Sequence, residues 1–120
     1  MGRGTTKIST KIIIAELEKA SRKRKQKIWL DIAKIISKPR RIRPSINLWR
    51  LEKLAKKNTD KILLIPGKVL GYGDIETKAE VAALEFSEKA KNAIQKKGKT
   101  YSLMELLEKE AKPSKIMIVK

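Results

Sequence analysis

Apolar residues recur at helical spacing along the first half of this chain and gather into short runs along the second. Over residues 10–21, Ile13, Ile14, Leu17 and Ala20 share one helical face, with Glu16, Glu18 and Lys19 elsewhere. That spacing predicts an amphipathic helix of about three turns. Ile28, Trp29, Ile32, Ile35 and Ile36 then fall at i, i+1, i+4, i+7 and i+8, a buried stripe in which Trp29 reads as core. Ser37-Lys38-Pro39 ends this second helix, because the residue before proline is pushed out of the α region. Pro39 and Pro44 bracket Arg40, Arg41 and Arg43 in what reads as a stiff, extended, cationic arm. Ser45-Ile46-Asn47 starts a short strand. Leu48, Leu51, Leu54 and Ala55 return to helical spacing as far as Lys57, before the turn signal Asn58-Thr59-Asp60.

The second half changes period. Lys61-Ile62-Leu63-Leu64-Ile65 is a continuous apolar run, read as a strand buried on both faces. Pro66-Gly67 reads as a turn, Lys68-Val69-Leu70 as a second short strand, and Gly71-Tyr72-Gly73-Asp74 as a loop. Glu80 to Phe86 predicts another strand, with Val81 and Ala83 on one face and Ala82, Leu84 and Phe86 on the other. Ser87 is an N-cap candidate for a helix reaching Lys97 and closed by Gly98. Ser102-Leu103-Met104-Glu105 has the form of a capping box. Leu103, Leu106, Leu107 and Ala111 follow as a stripe that Pro113 stops. Ile116 to Val119 is a last strand. Strands interleaved with helices predict an α/β domain rather than a bundle.

Charge alters this picture. The 120 residues carry 30 Lys plus Arg against 13 Asp plus Glu, a net charge of +17. Such an excess repels itself in a compact state, so an anionic partner is the default inference. It is also uneven. Residues 1–44 hold 14 basic and 3 acidic side chains, net +11, and residues 45–120 hold 16 and 10, net +6. The division predicted is a basic N-terminal part over residues 1–44 (tail, two helices and arm) and a compact α/β domain over residues 45–120. Residues 1–7 are small, polar and basic and read as a disordered tail.

The chain has neither Cys nor His. Disulfides, thiol chemistry, Cys/His metal sites and imidazole catalysis are thereby excluded. No apolar run approaches the ~18 residues of a membrane span, so a soluble cytoplasmic protein is expected, with no cofactor, metal or small-molecule substrate. Gly67-Lys68 is followed by Val69 and preceded at the first glycine position by Ile62, so it is not a phosphate-binding Walker loop. Gly71-Tyr72-Gly73 reaches Glu76 where a dinucleotide fingerprint needs glycine. Asp74 and Glu76 have no partner for acid–base work and read as a solvated loop.

What remains is cationic. Arg22-Lys23-Arg24-Lys25-Gln26-Lys27 puts five cations into six positions, more than a helix dipole accounts for. Arg40, Arg41 and Arg43 are the residue type best shaped to fork a phosphate. Five aromatics are too few for a long single-strand stacking platform, so recognition of folded RNA by backbone and shape fits better. A DNA-coating protein of the nucleoid or chromatin type is the alternative the same charges allow.

KPRRIRPSINLWRL over Lys38–Leu51, and IPGKVLGYGDI over Ile65–Ile75, resemble the L-eighteen-e family of archaeal and eukaryotic large-subunit ribosomal proteins, which shares its fold with the bacterial L-fifteen protein. The likeness extends, in order, through Val81-Ala82-Ala83, Phe86-Ser87 and Ser102-Leu103, and so covers nearly the whole chain. It implies an irregular strand–strand–helix superhelical α/β domain preceded by two N-terminal amphipathic helices and a basic extended arm. It implies no enzymatic activity, but a structural place in the large subunit against rRNA and neighbouring ribosomal proteins. The residues expected to meet rRNA are then Arg22, Lys23, Arg24, Lys25, Lys27, Lys38, Arg40, Arg41 and Arg43, with Arg50, Lys68 and Tyr72.

Overall fold

The computed structural model describes residues 9–119, and the expected basic tail over residues 1–7 lies outside them. Ten regular elements follow in chain order: α1 (Thr10–Arg24), α2 (Lys27–Ile36), β1 (Ser45–Asn47), α3 (Leu48–Lys57), β2 (Ile62–Leu70), β3 (Glu80–Phe86), α4 (Glu88–Gln95), β4 (Lys99–Ser102), α5 (Leu103–Lys109) and β5 (Ile116–Ile118). The five strands form one wholly parallel sheet in the order β1-β2-β3-β4, with β5 also paired to β2. β1 and β5 share one edge of β2: Ile62–Leu64 pair with β5, and Lys68–Leu70 pair with β1.

The sheet divides the core in two, as a parallel sheet with helices on both faces must. On one face Ile62, Leu64, Ala82 and Ile116 pack with α1, α2 and α5 through Leu17, Trp29, Ile32, Ile36 and Leu106. On the other, Leu63, Ile65, Val69, Val81 and Ala83 pack with α3 and α4 through Leu48, Leu51, Ala90 and Ile94. This is the α/β architecture expected from the sequence. Trp29 is wholly buried, as its place on the stripe predicts.

Four local expectations are corrected. Pro66-Gly67 is no turn. β2 runs straight through it, and the register slips between Ile65 and Lys68 because Pro66 has no N–H to give a regular ladder. Phe86, which ends β3 paired with Val69, packs with the α3/α4 cluster as well as bordering the groove beside Leu84. α4 stops at Gln95, and Gly98 is not a left-handed cap: a Cβ there would run into the Ala79 carbonyl, so close backbone approach requires the glycine. The polar segment Lys99–Ser102 is a strand, β4, paired to β3 at the sheet's edge.

Ser87 and Ser102 cap α4 and α5 as predicted, each accepting a backbone N–H, and Glu105 completes the capping box by accepting from Ser102 N–H at 2.8 Å. Beside that cap, the Tyr101 hydroxyl donates to Glu80 at 2.7 Å. Burial, and then this bond, push the Tyr101 phenol up from 10.0 to about 12. The folded state therefore holds the proton more tightly than the unfolded chain does. The associated stability is complete below about pH 10 and is lost as pH rises toward 12. Urea midpoints at about pH 9 and about pH 11.5 should fall less in Tyr101→Phe than in the parent. An equal fall in both proteins would remove Tyr101 as the cause.

Candidate nucleic-acid interface

The two dense basic segments lie on the same layer, that of α1, α2 and α5, but at opposite ends of α2. Arg22, Lys23 and Arg24 form the last turn of α1, and Lys25 makes its left-handed cap at φ 56°. Lys27 opens α2. The arm begins where α2 ends, so the clusters stand about 15 Å apart along ten residues of helix. Arg22, Lys23, Lys25 and Lys27 are exposed, as are Lys38, Arg40 and Arg41.

Arg24 is turned inward. Its Nη2 donates to the Leu107 carbonyl at 2.9 Å, and its guanidinium carbon stands 6.0 Å from the centroid of the Trp29 ring. Its Nη1 is buried with no partner among the described residues. Arg24 thus ties the α1–α2 corner to the C-terminal end of α5, where a cation also meets the negative end of the helix dipole. Sequence spacing could not show this, because the carbonyl lies 83 residues away.

The arm is extended at Pro39 and Arg43 but closes one 3-10 turn between them, over Arg40–Ile42, where the Ile42 N–H reaches the Pro39 carbonyl at 3.0 Å. The expected fully extended arm is corrected accordingly. Arg40 and Arg41 are held in this turn, and Arg43 leaves it to donate from Nε to the Lys38 carbonyl. Arg40 pairs with Glu85 of β3 at 3.1 Å in an exposed ion pair. Lys68 lies close by in register: it pairs with Ser45 on one side and with Glu85 on the other, and its N–H donates to the Pro44 carbonyl. Arg40 and Arg43 also rim a groove of about 750 Å³, floored by Ile13, Leu84, Phe86 and Leu103.

Arg50 and Tyr72 are elsewhere. Both stand with Trp49 at the N-terminal end of α3, on the layer facing away from α2. The Trp49 N–H donates to the Tyr72 carbonyl at 3.2 Å, which occupies a donor that the N-cap side chain of Asn47 would otherwise take. Gly73 follows at φ 91°, packed so closely that a Cβ would stand 2.8 Å from that of Trp49. The rest of the 71–79 connection is strapped to α3 by Glu52, which accepts from the Glu76 and Thr77 N–H groups. The Thr77 bond, chief among several causes, holds the Glu52 carboxyl below the usual carboxylate range.

Lys53, Lys56 and Lys57 were not among the residues singled out from sequence, yet all three are exposed on α3 below Trp49. Their signal was available: they occupy the polar face opposite the Leu48–Leu51–Ala55 stripe. No group of acids among the described residues is arranged to hold a metal ion, and no described helix is long and apolar enough to cross a membrane.

Comparison with known proteins gives a consistent result. The family that unites the ribosomal proteins 50S-L15 and 50S-L18e with the 60S protein L-twenty-seven-A matches residues 45–100. The chain is 38% identical over 116 residues to the large ribosomal subunit protein eL18 of Methanococcus maripaludis, covering 96% of this chain and 95% of that protein. It is 40% identical over 101 residues to the protein of the same name from Sulfurisphaera tokodaii, covering 83% and 84%. It is 34% identical over 108 residues to that of Haloarcula marismortui, covering 90% and 91%.

Proposed function

We infer, because the chain belongs to the eL18 family of large ribosomal subunit proteins, that it is a structural constituent of that subunit, working in the ribosome and thus in the cytoplasm, and without enzymatic activity. Its partners are large-subunit rRNA and neighbouring ribosomal proteins. The observation that carries the rRNA assignment is the pair of exposed cation clusters at the two ends of α2, on one layer of a fold whose apolar side chains are packed behind them. Phosphates spaced along a folded RNA can meet both ends at once. Arg22, Lys23, Lys25 and Lys27 serve one end. Lys38, Arg40, Arg41 and Arg43 serve the other, with Lys68 beside them. Arg24 supports the corner from within.

The test is the triple substitution of Arg40, Arg41 and Arg43 to Ala, with binding to large-subunit rRNA measured across a salt series. Each lost phosphate contact lowers the slope of log affinity against log salt by about 1. Arg41 is unengaged, while Arg40 and Arg43 are partly held by Glu85 and the Lys38 carbonyl, so a reduction of about 1 to 2 is expected. The fold should stand. The Arg40–Glu85 pair is surface-exposed and contributes less than about 1 kcal/mol, and the Arg43 bond to Lys38 is exposed as well. A triple variant whose urea midpoint collapses would make those arginines structural. One that binds rRNA as the parent does would remove the arm from the interface.

A further inference from the structure

We propose that the outward face of α3 is a second RNA-binding face, on which Trp49 and Tyr72 take an unstacked nucleobase and Lys53, Lys56 and Lys57 take the phosphates of the same strand. The proposal rests on the ribosomal reading above and extends it to the opposite side of the sheet.

Trp29, Phe86 and Tyr101 are buried or half-buried. The other two aromatics of the chain are exposed, Trp49 at 51% and Tyr72 at 70%. An exposed Trp and an exposed Tyr on unrelated segments would be unremarkable. Here the backbone joins them: the Trp49 N–H bonds to the Tyr72 carbonyl, and Gly73 is pressed against Trp49 in a conformation few other residues adopt. Glu52 holds the same connection at Glu76 and Thr77. Holding the two backbone positions together before a ligand arrives reduces the entropy lost when it binds.

Charge identifies the occupant. Trp49, Lys53 and Lys56 follow at i, i+4 and i+7 along one side of α3, with Lys57 at its end. The Lys53 ammonium stands 5.4 Å from the centroid of the Trp49 ring. The one acid of this helix, Glu52, is already engaged by two backbone N–H groups and, at 3.9 Å, by Lys56. An aromatic head on a cationic helix matches a nucleotide strand, whose bases stack and whose phosphates are anionic. An acidic peptide would match the lysines but not the two rings. Because α3 lies across the sheet from α2, a chain with both faces occupied would hold two separate rRNA segments together.

Full-length large-subunit rRNA of Methanococcus maripaludis is the probe, titrated against the full chain and against Trp49→Ala, Trp49→Phe and Tyr72→Ala. Trp29 is sealed in the core, so a change in tryptophan emission reports Trp49. The rRNA should quench it. Trp49→Ala should weaken binding about tenfold, the order expected of one lost base stack, and leave the salt slope unchanged, since no phosphate contact is removed. Trp49→Phe should recover much of the loss. Changing Lys53 and Lys57 together to Gln should instead lower the slope by about 2. If rRNA binds, with Arg40, Arg41 and Arg43 needed for it, but the aromatic variants match the parent and no quench occurs, the second face is overturned and the first stands. If the aromatic variants bind naked rRNA normally and fail only to join subunits that contain the other proteins, the rings face a protein and the proposal is again overturned. If no rRNA binding is seen at all, both readings fall together.

Discussion

Raising monovalent salt from about 50 to about 200 mM should weaken binding of this chain to large-subunit rRNA on the order of a thousandfold. The magnitude follows from the number of unengaged cations in the two clusters at the ends of α2. Arg22, Lys23, Lys25, Lys27, Lys38 and Arg41 are exposed, and their side chains make no hydrogen bond or ion pair among the described residues. Arg24, Arg40 and Arg43 have internal partners and contribute less. Six phosphates neutralised release their condensed counterions, and that release is opposed by added salt as a steep power law. Exposed charges are also the ones most screened over this range. Filter binding or fluorescence anisotropy across the series measures it. The urea midpoint at each salt serves as the control that the protein is folded throughout. A flat response would remove counterion release as the source of affinity and with it the role given to these six residues.

Gly67→Ala should destabilise the protein by about 3 kcal/mol, the upper end of what overpacking a tight site costs. A Cβ at this position would run into the carbonyl of Pro44, whose oxygen also accepts the Lys68 N–H at 3.1 Å. What it meets is backbone, with no side chain that can swing aside. Relief means moving the Pro44 peptide, and that peptide fixes the pairing of Ser45 with Lys68 at the start of β1. Gly98→Ala should behave alike, because its Cβ meets the Ala79 carbonyl. Gly71→Ala is a comparison against a side chain: its Cβ would stand 2.8 Å from the Lys89 Cβ, which is fixed to the α4 backbone, so α4 must give and this substitution should be destabilising as well. Against a total stability of about 5–15 kcal/mol for an ordinary domain, the first two substitutions should shift the urea midpoint plainly. An unchanged midpoint in Gly67→Ala would mean that the arm and β2 are not locked together as described.

These sites also show where reading the sequence stops. The helices were legible because their stripes are local: Ile32, Ile36, Leu48 and Leu51 declare a buried face within two turns. The continuous run at Ile62–Ile65 declared a doubly buried strand. Pro66-Gly67 misled, because a proline followed by a glycine is normally a turn, and only the crossing of Pro44 explains a glycine inside a strand. Lys99–Ser102 carries no apolar signal, since an edge strand of polar residues is specified by its neighbour β3. The cation clusters were plain from charge alone. Their separation along α2, and the inward turn of Arg24 onto Leu107, depend on contacts between distant segments. Trp49 could not be assigned from the sequence, to core or to surface; the structure leaves it half exposed. What it faces depends on Tyr72, and nothing in the spacing of the two residues brings them together.

The shared edge of β2 sets an order of events. One half of that edge is covered by β1, which precedes β2 in the chain, and the other half by β5, which follows every other element. During synthesis, Ile62–Leu64 emerge long before Ile116–Ile118 exist to pair with them. An apolar strand with open N–H and C=O groups is a template for pairing with other chains, and partly folded intermediates are where such pairing begins. Parallel pairing across so long a separation is also slow to close. The nascent chain therefore passes through an interval in which it is most sticky while already strongly cationic. A chain cut short before Ile116 would remain in that condition permanently, so loss of β5 should harm this protein chiefly through aggregation.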